Sequence, residues 1–247
     1  MANAMRYDHQ QHHQYIPPQQ TDLQVLWRDT MHVLWQFLDS EESMKKVDLR
    51  KQVEELIYQY ICEVPHSRIF VFPNTINVLK SSIEKYDDFS AYKAAIGFEA
   101  INQYANNLFT KPWRKEYKTI KMYSGFYKHE IASNLNGAES LFEEMGYRLS
   151  DDKQTLVLDG PVCPDRVTSI SRDVIAAYVE CQVMGEIFAE LSNKRITVSW
   201  RDIYNFREHN TCMRQSPHEM AVLIQELIQK NHLSRRKGKY RNQMQII

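Results

Sequence analysis

The chain has 247 residues, of which 43% are hydrophobic and 25% are charged. This composition is typical of folded globular proteins and excludes a disordered chain, and the length suits one sizeable domain or two small ones. Lysine plus arginine equals aspartate plus glutamate at 31 each, which excludes an overall field that would attract nucleic acid or an anionic membrane.

Local features narrow the class further. The four cysteines are widely spaced and form no CxxC pair, so they indicate neither a zinc site nor a disulfide framework. No apolar run approaches the roughly 18 residues of a membrane span. We therefore expect a protein of the cytoplasm, and additionally of the nucleus, that holds no metal and no cofactor and contacts no membrane.

The N-terminal part predicts a tail followed by helices. Residues 1–20 are rich in Gln and His, a composition that predicts a disordered tail. Beyond them, apolar residues recur every three or four positions and predict helices over residues 21–38, 41–62 and 73–86. We assign residues 21–84 to an N-terminal helical extension.

The middle of the chain predicts a long helix and then a short one. The long helix runs from Ser90 to Phe109. One apolar face is predicted to hold Tyr92, Ile96, Ala100, Tyr104, Ala105 and Leu108. Pro112 suits the first turn of the next helix, because its missing N–H would be unpaired there anyway. In that helix Trp113, Tyr117 and Ile120 fall on one side.

The remaining pattern is again mostly helical. Further helices are predicted over residues 127–135, 137–145, 164–191 and 200–206, the second of them ending at Gly146. Another begins at Pro217, where Ser216 and Glu219 fit a capping box. Residues 155–162 give the only strand signal, with Asp159-Gly160 as its hairpin turn. The predicted fold is therefore all-α, a helical bundle with at most a small β-hairpin.

The stretch from Ala105 to Tyr147 carries the most specific signal. It contains Asn-Leu-Phe at 107–109, Pro-Trp at 112–113, Lys-Glu-Tyr at 115–117 and Leu-Phe-x-x-Met-Gly-Tyr at 141–147. This order resembles the PUB domain, and residues 107–125 resemble its variant in the family of spermatogenesis-associated protein 2 and tamozhennic, the insect members most closely. The resemblance spans residues 21–210 and implies a PUB-like domain over 85–192. The residue pattern predicts C-terminal helices over 193–233 and a basic tail over 234–247.

PUB domains bind short peptides, and the resemblance implies which residues do so here. Asn107 would hydrogen-bond the peptide, Tyr117 would line its pocket, and Lys121 would face an acidic group. The predicted peptide-binding set is completed by Trp113, Phe126 and Tyr127, whose rings offer flat apolar surface.

A second surface is implied by relatives that engage a CYLD-type deubiquitinase through this domain. Tyr123 is the predicted centre of that partner interface, with Arg114 and Lys118 beside it. Glu116 stands where glycanase-type PUB domains have lysine, and an acidic residue there would weaken the binding of acidic peptides. We therefore expect the partner interface to matter more than the inherited pocket.

The charges of residues 111–128 fit peptide capture independently of the resemblance. Six basic residues, Lys111, Arg114, Lys115, Lys118, Lys121 and Lys128, stand against Glu116 alone. An acidic peptide with an aromatic anchor would complement such a surface. Structural alternatives stay open, since Trp113 and Tyr117 also suit a core, the lysines also suit a solvated face, and Asn107 also suits a helix cap.

These observations favour a non-enzymatic adaptor that docks a ubiquitin-pathway protein, either a deubiquitinase or a short acidic or aromatic motif. Because an insect relative is associated with nuclear import of a Rel-type transcription factor, the resemblance also implies control of signalling and nuclear-transport partners such as Ran. Nucleic-acid binding by residues 111–128 is the alternative, since aromatic residues beside lysines also bind single strands. No GxSxG, HExxH or phosphate-loop motif is present, so we predict neither enzymatic activity nor a small-molecule substrate.

Overall fold

A computed structural model describes residues 20–209 and 214–243, with side chains for 22–209 and 214–230. Within those ranges the chain forms eight α-helices, two short 3-10 helices, one π-helix and three short strands. The predicted all-α bundle is thereby confirmed, and its β element is a three-stranded sheet. The Gln/His-rich tail predicted over residues 1–20 lies outside the described residues except for Gln20, where the first helix begins.

Three helices form the N-terminal part of the described chain. They are α1 (Gln20–Asp39), α2 (Met44–Glu63) and α3 (Pro73–Lys85), close to their predicted ranges. Helix α2 begins where the Ser43 side chain accepts a hydrogen bond from the Lys46 N–H, which satisfies one of the unpaired donors of the first turn. Helix α3 begins with Pro73 at a first-turn position, where a missing N–H costs nothing.

Helices α4 (Ala91–Thr110) and α6 (Pro164–Asn193) pack against each other at the centre of the molecule. Small residues let them approach closely, because the buried face of α4 carries many alanines around Phe98, Ile101 and Leu108. The face predicted for α4 is confirmed at Ala100, Ala105 and Leu108, which are buried, and is wrong at Tyr92 and Ile96. Tyr92 and Ile96 flank the α6 contact and are 54% and 49% exposed.

The predicted helix after Pro112 is also wrong. Residues Lys115–Lys118 form a 3-10 turn, and β1 (Thr119–Lys121) follows it. β1 pairs antiparallel with β3 (Thr155–Val157), which also pairs antiparallel with β2 (Arg148–Leu149), so β3 is the central strand. The Asp159-Gly160 hairpin is wrong as well, because β3 ends before it. The hairpin turn lies instead at residues 150–154, which connect β2 to β3.

A π-helix and a short α-helix lie between β1 and β2. The π-helix spans Tyr127–Ala132, and its wide turn is seen in the Ser133 N–H, which donates to the Lys128 carbonyl five residues earlier. Helix α5 (Glu139–Met145) ends as predicted at Gly146, whose φ of 107° is the left-handed conformation that glycine adopts without strain.

Two helices complete the fold, α7 (Trp200–His209) and α8 (Pro217–Gln243). The predicted capping box at α8 is confirmed: the Glu219 carboxylate accepts the Ser216 N–H at 2.7 Å, and the Ser216 hydroxyl accepts the Glu219 N–H at 3.3 Å. Buried residues of α1 to α8 join one hydrophobic cluster. The division of the chain into segments remains a prediction.

Helix α6 also carries two buried ion pairs, which we call the inner charge layer: Arg172–Asp173 and Glu180–Arg207, with His66 beside Glu180. Asp173 accepts hydrogen bonds from the backbone N–H groups of Val71 at 2.9 Å and Phe72 at 2.8 Å, and so fixes the loop before α3. Arg172 pairs with the Asp173 carboxylate at 2.9 Å.

The second pair of the inner charge layer ties α6 to α7. Both guanidinium nitrogens of Arg207 that face Glu180 donate to its carboxylate, and the His66 ring lies 3.5 Å away. Burial alone would raise the pKa of Glu180, but Arg207 and His66 outweigh it and hold that pKa well below its usual range. The charged carboxylate is therefore the form that the fold stabilises.

Candidate protein-binding surface

Residues 111–128, which we call the basic surface, leave the end of α4 through tight turns. The Lys111 N–H donates to the Asn107 carbonyl at 3.0 Å, and the Arg114 N–H donates to the Lys111 carbonyl at 3.0 Å. Pro112 lies between these two bonds and, having no N–H, needs no hydrogen-bond acceptor. The turns end the helix and bring the 3-10 turn of residues 115–118 back against α4.

Backbone and side-chain bonds then hold the basic surface on the small sheet. The Lys118 carbonyl accepts the Leu158 N–H at 2.8 Å, and the Met122 N–H donates to the Gln154 carbonyl at 2.9 Å. The Tyr147 hydroxyl donates to the Tyr117 carbonyl. A segment with little regular structure is thus fixed at several points along its length.

Aromatic rings support the basic surface from below. Tyr104 of α4 makes edge contacts with Phe126 at 5.8 Å and with Phe142 at 5.4 Å between ring centres. Phe142 in turn contacts Tyr127 at 6.1 Å and Tyr147 at 5.9 Å. Burial raises the pKa of Tyr127 and of Tyr147 well above the usual value, so both phenols stay neutral.

The predicted aromatic residues divide into exposed, intermediate and buried ones. Trp113, Tyr123 and Phe126 are 72%, 51% and 45% exposed, unusual values for large rings on a fixed backbone. Tyr117 is half-buried, and Tyr127 lies in the core. The structure therefore gives Trp113, Tyr123 and Phe126 access to a partner, whereas Tyr127 packs behind them.

The charged residues of the basic surface are mostly exposed. Arg114 lies 5.8 Å from the centre of the Tyr117 ring and pairs with Glu116 at 3.4 Å, so the structure brings these three residues together. The lone carboxylate is thereby balanced by a neighbouring guanidinium. Lys118 donates to the Gly160 carbonyl at 2.9 Å, whereas Lys121 is exposed at the edge strand.

Asn107 lies in the last turn of α4 and is half-buried. Its carbonyl accepts the Lys111 N–H, but its side-chain amide makes no hydrogen bond to any residue whose side chain is described. It does not cap a helix, because the N-cap position of α4 is Ser90 and the C-cap is Lys111. Its part in peptide binding stays a prediction.

Sequence reasoning missed the residues that position this surface. Tyr104 stood in the pattern only as one helix-face residue, and Gly160 only as part of a turn. The motif at 141–147 contains Phe142 and Tyr147, which now appear as supports for Tyr127 and Tyr117. The spacing of that motif was a usable signal, because both rings lie on the segment that ends α5.

The described residues hold neither a metal-binding cluster nor a membrane-spanning helix. Among the described residues, no group of three or more His, Cys, Asp or Glu side chains is arranged to hold a metal ion. No helix within the described ranges is long and apolar enough to cross a membrane. The exposed aromatic and basic residues of 111–128 therefore remain the leading candidate site.

A family profile and an insect relative both match most of this chain. The profile of the family described as spermatogenesis-associated protein 2, PUB-like domain, matches residues 39–211. Protein tamozhennic of Drosophila melanogaster is 50% identical over 183 residues, which are 74% of this chain and 23% of that protein.

Vertebrate relatives match a shorter part. The human spermatogenesis-associated protein 2-like protein is 34% identical over 100 residues, 39% of this chain and 23% of its own length. Spermatogenesis-associated protein 2 of Danio rerio is 27% identical over 113 residues, 45% of this chain and 20% of its own length. The chain thus spans less than a quarter of the length of these relatives.

Proposed function

Since the chain belongs to the family of spermatogenesis-associated protein 2 PUB-like domains, we propose that it is a non-enzymatic adaptor that docks a protein partner through its basic surface. PUB-like domains are adaptor-type modules and not a known class of enzyme. The partner that we propose is a CYLD-type deubiquitinase of the ubiquitin pathway. Through it the chain would regulate signalling, including nuclear import of a Rel-type transcription factor and contacts with transport proteins such as Ran.

One observation supports this proposal above the others: large aromatic side chains are exposed on a segment that is firmly held. Trp113 and Tyr123 project from a backbone that is bonded to β3 and to the Tyr147 hydroxyl. Rigid aromatic anchors lose little conformational entropy when a partner covers them, which is why such residues dominate binding energies. The surrounding lysines would speed association with an acidic partner surface.

We propose that the two ends of the basic surface bind different partners. The Tyr123 end, with Arg114 and Lys118, would contact the deubiquitinase. Asn107, Tyr117 and Lys121 would retain a pocket for short acidic or aromatic motifs, with Trp113 and Phe126 as exposed anchors and Tyr127 as their buried support. Because Arg114 balances Glu116, the carboxylate by itself does not close this pocket to an acidic ligand.

The experiment is calorimetric titration of the whole chain with the catalytic domain of a CYLD-type deubiquitinase. We expect Tyr123→Ala to weaken binding by about tenfold or more, the usual size for an anchor residue. Leu227→Ala is the matched control, because Leu227 is an exposed apolar residue on α8. Asn107→Ala is expected to leave deubiquitinase binding intact and to weaken an acidic, aromatic peptide.

Clear results would reject the proposal. A folded chain that binds neither the deubiquitinase nor the peptide would exclude an adaptor of this kind. If Tyr123→Ala does not change the affinity for the deubiquitinase, the interface does not include Tyr123. Tight retention on single-stranded oligonucleotides that falls steeply with salt would instead favour the nucleic-acid alternative.

A further inference from the structure

A groove of about 410 Å³ runs along α4 and meets the basic surface at Phe126. Helix α6 forms one wall of this α4 groove and the start of the π-helix forms the other. Tyr92 and Ile96 rise from α4 at half-exposed positions, and Ala95 and Ala100 form the floor. Small buried residues between large exposed ones make a concave apolar surface.

The walls of the α4 groove are held in place before any ligand arrives. The Tyr92 hydroxyl donates to the Gly185 carbonyl at 3.0 Å, and its ring packs so closely on Gly185 that a Cβ there would lie 2.8 Å from the ring. Trp200 contacts the edge of Tyr92 at 5.7 Å and stacks on Phe188 at 4.2 Å. A preformed groove binds without a large cost of ordering its side chains.

The charge of the α4 groove is opposite to that of the basic surface. Its lining includes Glu99 and Glu130 and contains no lysine or arginine. Arg50, behind the wall, is shared between Glu99 and Glu54 at 2.6 Å each. Glu130 has no ion-pair partner among the described side chains, so three carboxylates stand against one guanidinium in this region.

The backbone around the α4 groove decides the conformation of its occupant. The lining belongs to helices, whose N–H and C=O groups are already paired within each helix. An extended peptide would find no strand edge there and would leave its own backbone groups without partners. A helix satisfies its backbone internally and can present one apolar face.

From these observations we propose that the α4 groove docks the apolar face of a basic amphipathic helix from a partner protein. Its apolar residues would fill the space between Ile96 and Phe126, and its lysines or arginines would face Glu130 and Glu99. From Tyr92 to Gln103 the groove extends about 16 Å at about 1.5 Å per residue, which matches roughly three helical turns. This docking site is independent of the deubiquitinase interface.

The test uses the whole chain and a fluorescein-labelled amphipathic peptide of about four helical turns, with leucines on one face and lysines on the other. A counterpart peptide replaces every lysine by glutamate. Fluorescence anisotropy is expected to show saturable binding of the lysine peptide and at least about tenfold weaker binding of the glutamate peptide. Equal binding of the two peptides would overturn the proposal.

Variants locate the binding. Ile96→Ser is expected to weaken the lysine peptide about tenfold, and Glu130→Lys several-fold. Their matched controls on α8, Leu227→Ser and Glu226→Lys, are expected to change nothing, and circular dichroism verifies that each variant folds. If Ile96→Ser does not fold, Glu130→Lys decides the question, and unchanged binding by a folded variant overturns the proposal.

A second copy of this chain is the competing occupant. Sedimentation velocity of the chain alone distinguishes it from a foreign helix. Self-association that Ile96→Ser abolishes would assign the α4 groove to a dimer and overturn the proposal. A monomer that binds the lysine peptide would support it.

Discussion

Charged and aromatic residues have opposite roles in the basic surface and in the inner charge layer. On the basic surface Trp113 is mostly exposed, and Arg114 pairs loosely with Glu116 in contact with water. In the inner charge layer Arg172 and Asp173 are almost entirely buried, and the carboxylate also accepts two backbone N–H groups. Charged side chains of the basic surface are thus available to bind a partner, whereas those of the inner charge layer are paired with one another inside the fold.

This difference teaches that burial, more than residue type, separates the two roles. A buried charge that loses its partner carries the full cost of desolvation, whereas an exposed ion pair contributes little to stability. Substitutions in the inner charge layer should therefore change stability first. Substitutions on the basic surface should change binding and leave stability almost untouched.

The largest effect is expected from Asp173→Ala. The change leaves the Arg172 guanidinium buried without its carboxylate and removes the acceptor of the Val71 and Phe72 N–H groups. We expect the free energy of unfolding, measured with urea, to fall by about 3–5 kcal/mol. In the control Asp159→Ala, at an exposed loop position, it should change by less than about 0.5 kcal/mol. A loss below about 1 kcal/mol for Asp173→Ala would contradict the view that the inner charge layer stabilises the fold.

A smaller effect is expected from acid. The pKa of Glu180 is lower in the folded chain than the value of about 4.3 in an unfolded chain. Its stabilising contribution is therefore complete above about pH 5 and is lost as the pH falls through 4 toward the folded pKa. Loss of the Glu180 contribution should lower the free energy of unfolding by roughly 1.5 kcal/mol between pH 5 and 3, and by more at lower pH.

The control for the acid experiment is Glu180→Gln. Burial raises the pKa of Asp173 despite Arg172. Protonation of Asp173 therefore adds to the stability of the folded chain as the pH falls and partly masks the stability lost at Glu180. Asp173 is present in both chains, so its effect cancels when their pH profiles are subtracted. The free energy of unfolding is measured by urea titration at several pH values for both chains. If it changes with pH in the same way in both, Glu180 is not stabilised as a carboxylate.

The smallest effect on stability is expected from Trp113→Ala. Because this ring is mostly exposed, the free energy of unfolding should change by less than about 0.5 kcal/mol. Trp200→Ala removes a ring that stacks on Phe188 and contacts Tyr92, and it should cost about 2 kcal/mol or more. Stability is measured by thermal and urea unfolding. If Trp113→Ala lowers the free energy of unfolding as much as Trp200→Ala does, Trp113 belongs to the core and not to the basic surface.

Much of the fold was predictable because long helices carry their own signals. The apolar spacing of α1, α2 and α6 and the glycine after α5 are local features, and the structure confirms them. The capping box at Ser216 and Glu219 is likewise complete within four residues. Such signals do not depend on what the segment packs against.

The errors arose where distant parts of the chain decide the structure. Pro112, Trp113 and Tyr117 have helical spacing, but residues 119–121 pair with 155–157, and no local pattern encodes that pairing. The exposed position of Tyr92 depends on how closely the alanines of α4 approach α6. The candidate surface was predicted as a set of residues, but its division into exposed anchors and a buried support such as Tyr127 required the packing.

The π-helix gives the molecule a point that is sensitive to chain length. One turn of a π-helix holds an additional residue compared with an α-helix, so residues 127–132 amount to a stored insertion. If the same residues were wound as an ordinary α-helix, the preceding side chains would be rotated by about 100° relative to those that follow. Phe126 would leave Tyr104, and Tyr127 would turn toward solvent. The wide turn is therefore what lets the basic surface and the α4 groove meet at Phe126.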